Sequence, residues 1–148
     1  MSGLALDPGF FALLTGSHAR LVGRPLVPAG RGPDWLYAAA PFALLAHDGA
    51  ADPRFVYANR TAQTCFGYDW DAITALPSRL SAEAPERAAR QALLDRVARD
   101  GFATGYRGVR IAASGRRFWI EDGTVWQLVD ADGTPRGQAA TFTRWRDV

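Results

Sequence analysis

The sequence predicts an α+β fold: a five-stranded antiparallel sheet with helices on one face, preceded by an N-terminal helical arm. Three features carry that expectation. FALLAHD (42–48) and RFVYA (54–58) are short apolar runs separated by GAADP, a hairpin pattern. Capped helical segments fill 59–100. Three further apolar and aromatic runs, joined by the Gly-bearing turns AASGR and DADGTP, close the chain. Such a sheet has a face that must be covered, and helices between its second and third strands can cover it. The space left between sheet and helices is a natural small-molecule pocket.

Each element has a local cause. Over 5–22, Asp7 caps a helix, Pro8 fits its first turn, and Phe10, Phe11, Leu13, Leu14, Leu21 and Val22 give it apolar faces. RPLVPAGRGPD (24–34) is a Pro/Gly loop, so residues 1–33 read as an arm with its loop and 34–148 as the main domain. Asp34 caps DWLYAAA, which Pro41 ends. After the hairpin, Asn59 caps RTAQTCF and Gly67 stops it. Asp69 caps WDAITAL, and Pro85 opens a helix to about Asp100 with Ala89, Leu93, Leu94 and Val97 as its apolar stripe. The last strands are expected at 104–113, 117–129 and 137–145.

Composition excludes several classes. The 148 residues suffice for one core, and 48% hydrophobic content argues against wholesale disorder. No apolar run reaches the roughly 18 residues of a membrane span, and the first residues carry no signal-peptide pattern. The single cysteine, Cys65, forbids an internal disulfide and suits a reducing cytoplasm. Arginines alternate with acids in APERAARQALLDRVARD, as on a solvated helix face, so no nucleic-acid partner is expected.

The order of elements and the segments RFVYANRTAQTCFGYDWDAI (54–73) and SGRRFWIEDGTVWQLVDADGTPRGQAATFTRW (114–145) resemble the PAS fold. More narrowly, ALLAHDGAADPRFVYAN, LPSRLSAEAPERAARQ and SGRRFWIED resemble the MEKHLA subfamily of PAS-like domains. Such domains occur as small bacterial proteins and at the C-terminus of plant class III homeodomain-leucine zipper factors, where a dimer-controlling role is inferred. The resemblance implies a sensor-like role and leaves the ligand open.

It also bears on cofactors. Haem-binding PAS domains hold iron through a His on the long helix, and here that helix has none; His18 and His47 lie elsewhere. Photoactive flavin domains use a Cys after the second short helix, where this chain reads ALPSRLSAE. Their flavin-binding Asn and Gln positions align with Arg110, Ile120 and Ala139. No haem or flavin is therefore expected, and an unknown small molecule is. Cys65 reads as a small buried hydrophobe. No P-loop, H-E-x-x-H, G-x-S-x-G or zinc-spaced set is present, so neither an enzyme nor a metal site is expected.

Under PAS parity, Leu45 and His47 face the pocket, with Arg110, Ile120, Asp122 and Ala139 on its other strands. His47, Arg110 and Asp122 then bind a polar or anionic ligand or one another; a purely structural Arg–Asp pair is the competing outcome. The turn at Gly115 decides the register. A two-residue turn sets Ile120 opposite Val109, and a three-residue turn centred on Gly115 sets it opposite Arg110; the odd turn is favoured. Asp122 is also the one candidate base for a small-enzyme alternative. Asn59, Gly67 and Gly115 are read as structural.

Two function classes follow. One is a ligand-responsive sensor acting on a separate signalling protein. The other is a constitutive interaction module whose pocket is filled by Phe42, Phe66, Tyr106 and Trp126. A homodimer is expected in either case, because some of the aromatics of the last strands (Phe118, Trp119, Trp126, Phe142, Trp145) must be core and the rest leave an outer apolar face for the arm or a second copy to cover.

Overall fold

Asp7 accepts a hydrogen bond from Phe10 N at 2.7 Å and so starts helix α1, Pro8–Val22, which Gly23 ends in the left-handed region. The computed structural model describes residues 3–148. After α1 come α2 (Pro33–Ala38), β1 (Ala43–Asp48), β2 (Phe55–Ala58), α3 (Arg60–Phe66) and α4 (Trp70–Ile73). A 3₁₀ turn (Ser78–Ser81) leads into α5 (Ala84–Asp100). The chain then runs through β3 (Phe102–Ile111), β4 (Arg117–Val129), β5 (Pro135–Phe142) and β6 (Arg144–Asp147). Among the described residues no helix is long and apolar enough to cross a membrane.

The sheet order is β2-β1-β5-β4-β3, with every pairing antiparallel. The expected fifth strand is two pieces. β5 pairs with Thr124–Val129 of β4, and β6 pairs with Phe118–Glu121. The register passes unchanged from one piece to the other, so β5 and β6 form one strand interrupted opposite Asp122. Asp122 has φ 50°, a left-handed conformation that Asp tolerates better than most residues.

That residue changes the phase of the pleat. Ile120 packs in the inner core with Phe66 and Phe118, and Val125 packs against Leu93 and Val97 of α5. The two are five positions apart, so simple alternation cannot place both inside. The change of phase falls at Asp122, whose side chain points to solvent, 70% exposed and 3.8 Å from Arg144.

The β3–β4 turn is odd, as favoured, but centred on Ser114. Ala112 N donates to Arg116 O, and Gly115 takes the left-handed position at φ 89°. Ile120 therefore pairs with Gly108, and Arg110 with Phe118. The parity follows the expectation while the register sits two residues away.

Helix α1 lies across the outer sheet face of its own chain. Trp126 Nε1 donates to Leu14 O at 3.3 Å, and His18 meets the Trp126 ring edge-on at 4.8 Å. Leu14, Leu36, Tyr37, Leu44, Tyr57, Trp126 and Leu128 form one core cluster there. Of the aromatics that motivated a homodimer, Trp126 is covered by α1 of the same chain, while Phe118, Phe142 and Trp145 pack in the inner core and Trp119 lies under Arg107. Trp126 fills this outer core and not the pocket, and Phe42 packs on Trp35 beside it.

The stripe of α5 also differs from expectation. Arg90, Leu93 and Val97 are its buried positions, while Ala89 is exposed. The helix is turned so that a charged residue occupies the place assigned to alanine.

Candidate functional site

Asn59 fixes the frame of the site. Its Oδ1 accepts from Ala62 N and Leu44 N, both at 3.0 Å, and its Nδ2 donates to Phe42 O at 2.9 Å and Leu36 O at 3.2 Å. One fully buried amide thus caps α3 and ties β1 and α2 to it. Gly67, at φ 76°, closes α3 and lets Phe66 reach the inner core.

Between the inner sheet face and α5 lies a cavity of about 60 Å³. Leu45, Phe55, Phe66, Leu93, Ile120 and Phe142 give it apolar walls, and His47, Arg90, Tyr106, Arg110 and Gln138 bring polar groups to it. A buried water needs roughly 10–15 Å³ on this measure, so the space holds several waters or one small molecule.

Both arginines are deeply buried, Arg90 at 7% and Arg110 at 8% exposure. Arg90 donates to Ser78 Oγ at 2.6 Å, and Arg110 donates to the Val109 carbonyl at 3.2 Å. The Arg110 guanidinium also stands 5.2 Å over the Tyr106 ring. No ion pair holds either one among the described residues, and no carboxylate lines the cavity. Burial, and then the Arg110 charge, pull the Arg90 guanidinium down to about 10, so it stays charged at neutral pH.

Two residues of the cavity wall carry buried acceptors. His47 Nδ1 lies 2.9 Å from the Asp48 carbonyl, which requires the proton on Nδ1 and leaves Nε2 as a bare acceptor. That Nε2 is buried without a partner. Burial chiefly, with help from Arg90, holds the His47 pKa below its usual value, so the ring is neutral. Gln138 spends both amide protons on Leu94 O (3.0 Å) and Gln127 Oε1 (3.1 Å), and its own Oε1 is buried without a partner.

Of the residues singled out from sequence, Leu45, His47, Arg110 and Ile120 meet at this cavity. Ala139 borders it but packs with Trp126 and Leu128 in the outer core; its neighbours Gln138 and Ala140 hold the inward positions. Asp122 is outside altogether, for the reason given by its backbone. Sequence reasoning missed Arg90 and Gln138. Arg90 was findable: residues 90, 93, 94 and 97 have helical spacing, with an arginine in the first place.

Cys65 is buried in α3 and is not a wall of the cavity; burial pushes its thiol up to about 12, which leaves it inert. Among the described residues, no group of three or more His, Cys, Asp or Glu side chains is placed to hold a metal ion.

Sheet order, helix placement and an inner-face cavity together define a PAS/LOV-like fold. The chain belongs to the MEKHLA domain family, which matches residues 9–147. Solved structures carry the same fold. A PAS domain from Colwellia psychrerythraea is 15% identical, covering 76% of this chain and 90% of its own, with a TM-score of 0.63. The photo-excited blue-light photoreceptor Vivid is 18% identical over 92% of this chain and 96% of its own, at 0.60. A PAS domain from a two-component sensor histidine kinase is 17% identical over 77% and 91%, at 0.58. No curated protein matches the sequence.

The cavity is small. Its 60 Å³ is well below the roughly 300–1,000 Å³ of pockets that hold larger ligands. Phe66, Tyr106 and Phe142 are among the walls of the space, and Cys65 does not line it.

Proposed function

We propose that this domain is a ligand-responsive sensory module, not an enzyme, and that a small molecule in the cavity alters how α1 sits on the sheet. The observation that carries this reading is a largely apolar cavity whose wall residues include two arginines without a counter-ion and two buried acceptors without a donor among the described residues, His47 Nε2 and Gln138 Oε1. Buried donors and acceptors without partners are costly, so a cavity that keeps them is built for something that satisfies them. The absence of a carboxylate or reactive thiol from its walls favours binding over catalysis.

The route to the arm is short. Val125 packs against α5 on the inner face, while Trp126 and Leu128 touch the α1 cluster on the outer face. A ligand that favours one position of β4 therefore favours one state of the arm. A separate signalling protein would read that state, in a reducing cytoplasm that suits the single thiol. No haem or flavin enters the scheme.

The constitutive interaction module has less support. Phe66 and Tyr106 line the cavity without filling it, and the outer face that would pair two copies is occupied by α1. Native mass spectrometry of protein purified from its natural source tests the sensory reading. A non-polypeptide mass retained under gentle conditions and lost on denaturation is expected. The bare polypeptide mass, at every activation energy, would contradict it.

A further inference from the structure

The residues of the cavity wall bring two kinds of polar group, guanidiniums without a counter-ion and buried acceptors without a donor among the described residues. Arg90 and Arg110 offer N–H donors and positive charge, and His47 Nε2 and Gln138 Oε1 offer lone pairs. An anion alone satisfies the first kind and not the second. A neutral alcohol does the reverse. Resting on the ligand-sensing reading above, we propose that the cavity binds a small hydroxycarboxylate. Its carboxylate lies against the two guanidiniums, its hydroxyl donates to His47 Nε2 or Gln138 Oε1, and its hydrocarbon faces the apolar wall.

Charge, geometry and size agree on this class. Two guanidiniums share one buried cavity with no counter-ion among the described residues, so an incoming carboxylate relieves their repulsion and gains charge-assisted hydrogen bonds. The wall formed by Leu45, Phe66, Ile120 and Phe142 favours carbon over a fully hydrated oxyanion such as phosphate. At roughly 10–15 Å³ for each water-sized unit, the space takes about four to six non-hydrogen atoms, the size of lactate.

The test is isothermal titration of the full chain at neutral pH, in low-chloride buffer, with lactate, propionate, lactamide and inorganic phosphate as probes. Lactate should bind saturably, about tenfold tighter than lactamide and several-fold tighter than propionate. Arg110→Gln and Arg90→Gln should each weaken lactate about tenfold or more, with unchanged circular dichroism. If either variant fails to fold, the acid–amide contrast on the unaltered chain decides. Lactamide binding as tightly as lactate would overturn the anion assignment while leaving a ligand cavity in place. Propionate equal to lactate would overturn the hydroxyl assignment, and a preference for phosphate would overturn the carboxylate class. Binding by none of the probes would overturn this inference, and the native-mass result would then judge the sensory reading by itself.

Discussion

Ser17 Oγ donates to the Val129 carbonyl at 3.1 Å and accepts from the Val129 N–H at 3.0 Å. One fully buried hydroxyl on α1 thus satisfies both backbone groups at the end of β4, and Arg20 adds a second donor to the same carbonyl at 2.6 Å. The arm is fastened to the strand whose other face lines the cavity. Ser17→Ala leaves the Val129 N–H without that partner and should destabilise the fold by about 1–3 kcal/mol. Urea unfolding followed by tryptophan fluorescence measures this; an unchanged midpoint would show that the arm is held by apolar packing alone.

Asn59 should matter more than an ordinary helix cap. A cap contributes about 1 kcal/mol, but this side chain makes four hydrogen bonds to three segments, three of them fully buried. Asn59→Ala should cost about 3 kcal/mol or more, because several buried backbone groups lose their partner together. Asn59→Asp should also destabilise, since it keeps the acceptor but places an unpaired charge against two carbonyls. A melting temperature within a degree or two of the unaltered protein for either variant would contradict this.

Tyr106 depends on Gly108. A Cβ at position 108 would stand 2.7 Å from Tyr106 Cζ, so the ring would have to leave. Gly108→Ala should therefore displace a wall of the cavity and weaken any ligand held there, with a smaller effect on overall stability. Retained lactate affinity in a folded Gly108→Ala protein would show that Tyr106 is not part of the site.

Acid should loosen the arm. Burial holds His18 below its usual pKa, opposed by the Arg24 carbonyl 2.9 Å from Nδ1 and reinforced by the Arg24 charge. A buried neutral histidine contributes stability above the unfolded-state value, about 6.5, and loses it as pH falls toward the lower folded value. His47 is shifted the same way. The melting temperature should therefore fall as pH drops below about 6.5, and less so in His18→Gln. A drop of equal size in that variant would assign the effect elsewhere.

Most of the architecture was legible because its signals are local. Asp7, Asn59, Asp69 and Gly67 announce their helices by capping chemistry, and β4 begins and ends where its pattern does. The site was legible only where the pleat stays in phase. Leu45, His47 and Arg110 precede Asp122 in sequence and were placed correctly. Asp122 itself adopts φ 50°, which no alternation pattern reveals, and Ala139, taken from its match to a flavin-binding position, packs outward while Gln138 beside it reaches α5. Arg90 was missed for another reason: in a run of alternating charges, the one arginine turned inward looks like its neighbours.

The central claim is that the cavity and the arm are coupled through β4. Backbone hydrogen exchange with and without saturating lactate tests it most directly. If detachment of α1 weakens the cavity's hold on its ligand, ligand must oppose detachment, and the α1 amides that exchange by that opening slow together with those of Val125–Val129. That slowing across residues 8–22 is the result predicted here. Slowing confined to α5, β3 and the cavity strands, with α1 exchanging at its ligand-free rate, would contradict it.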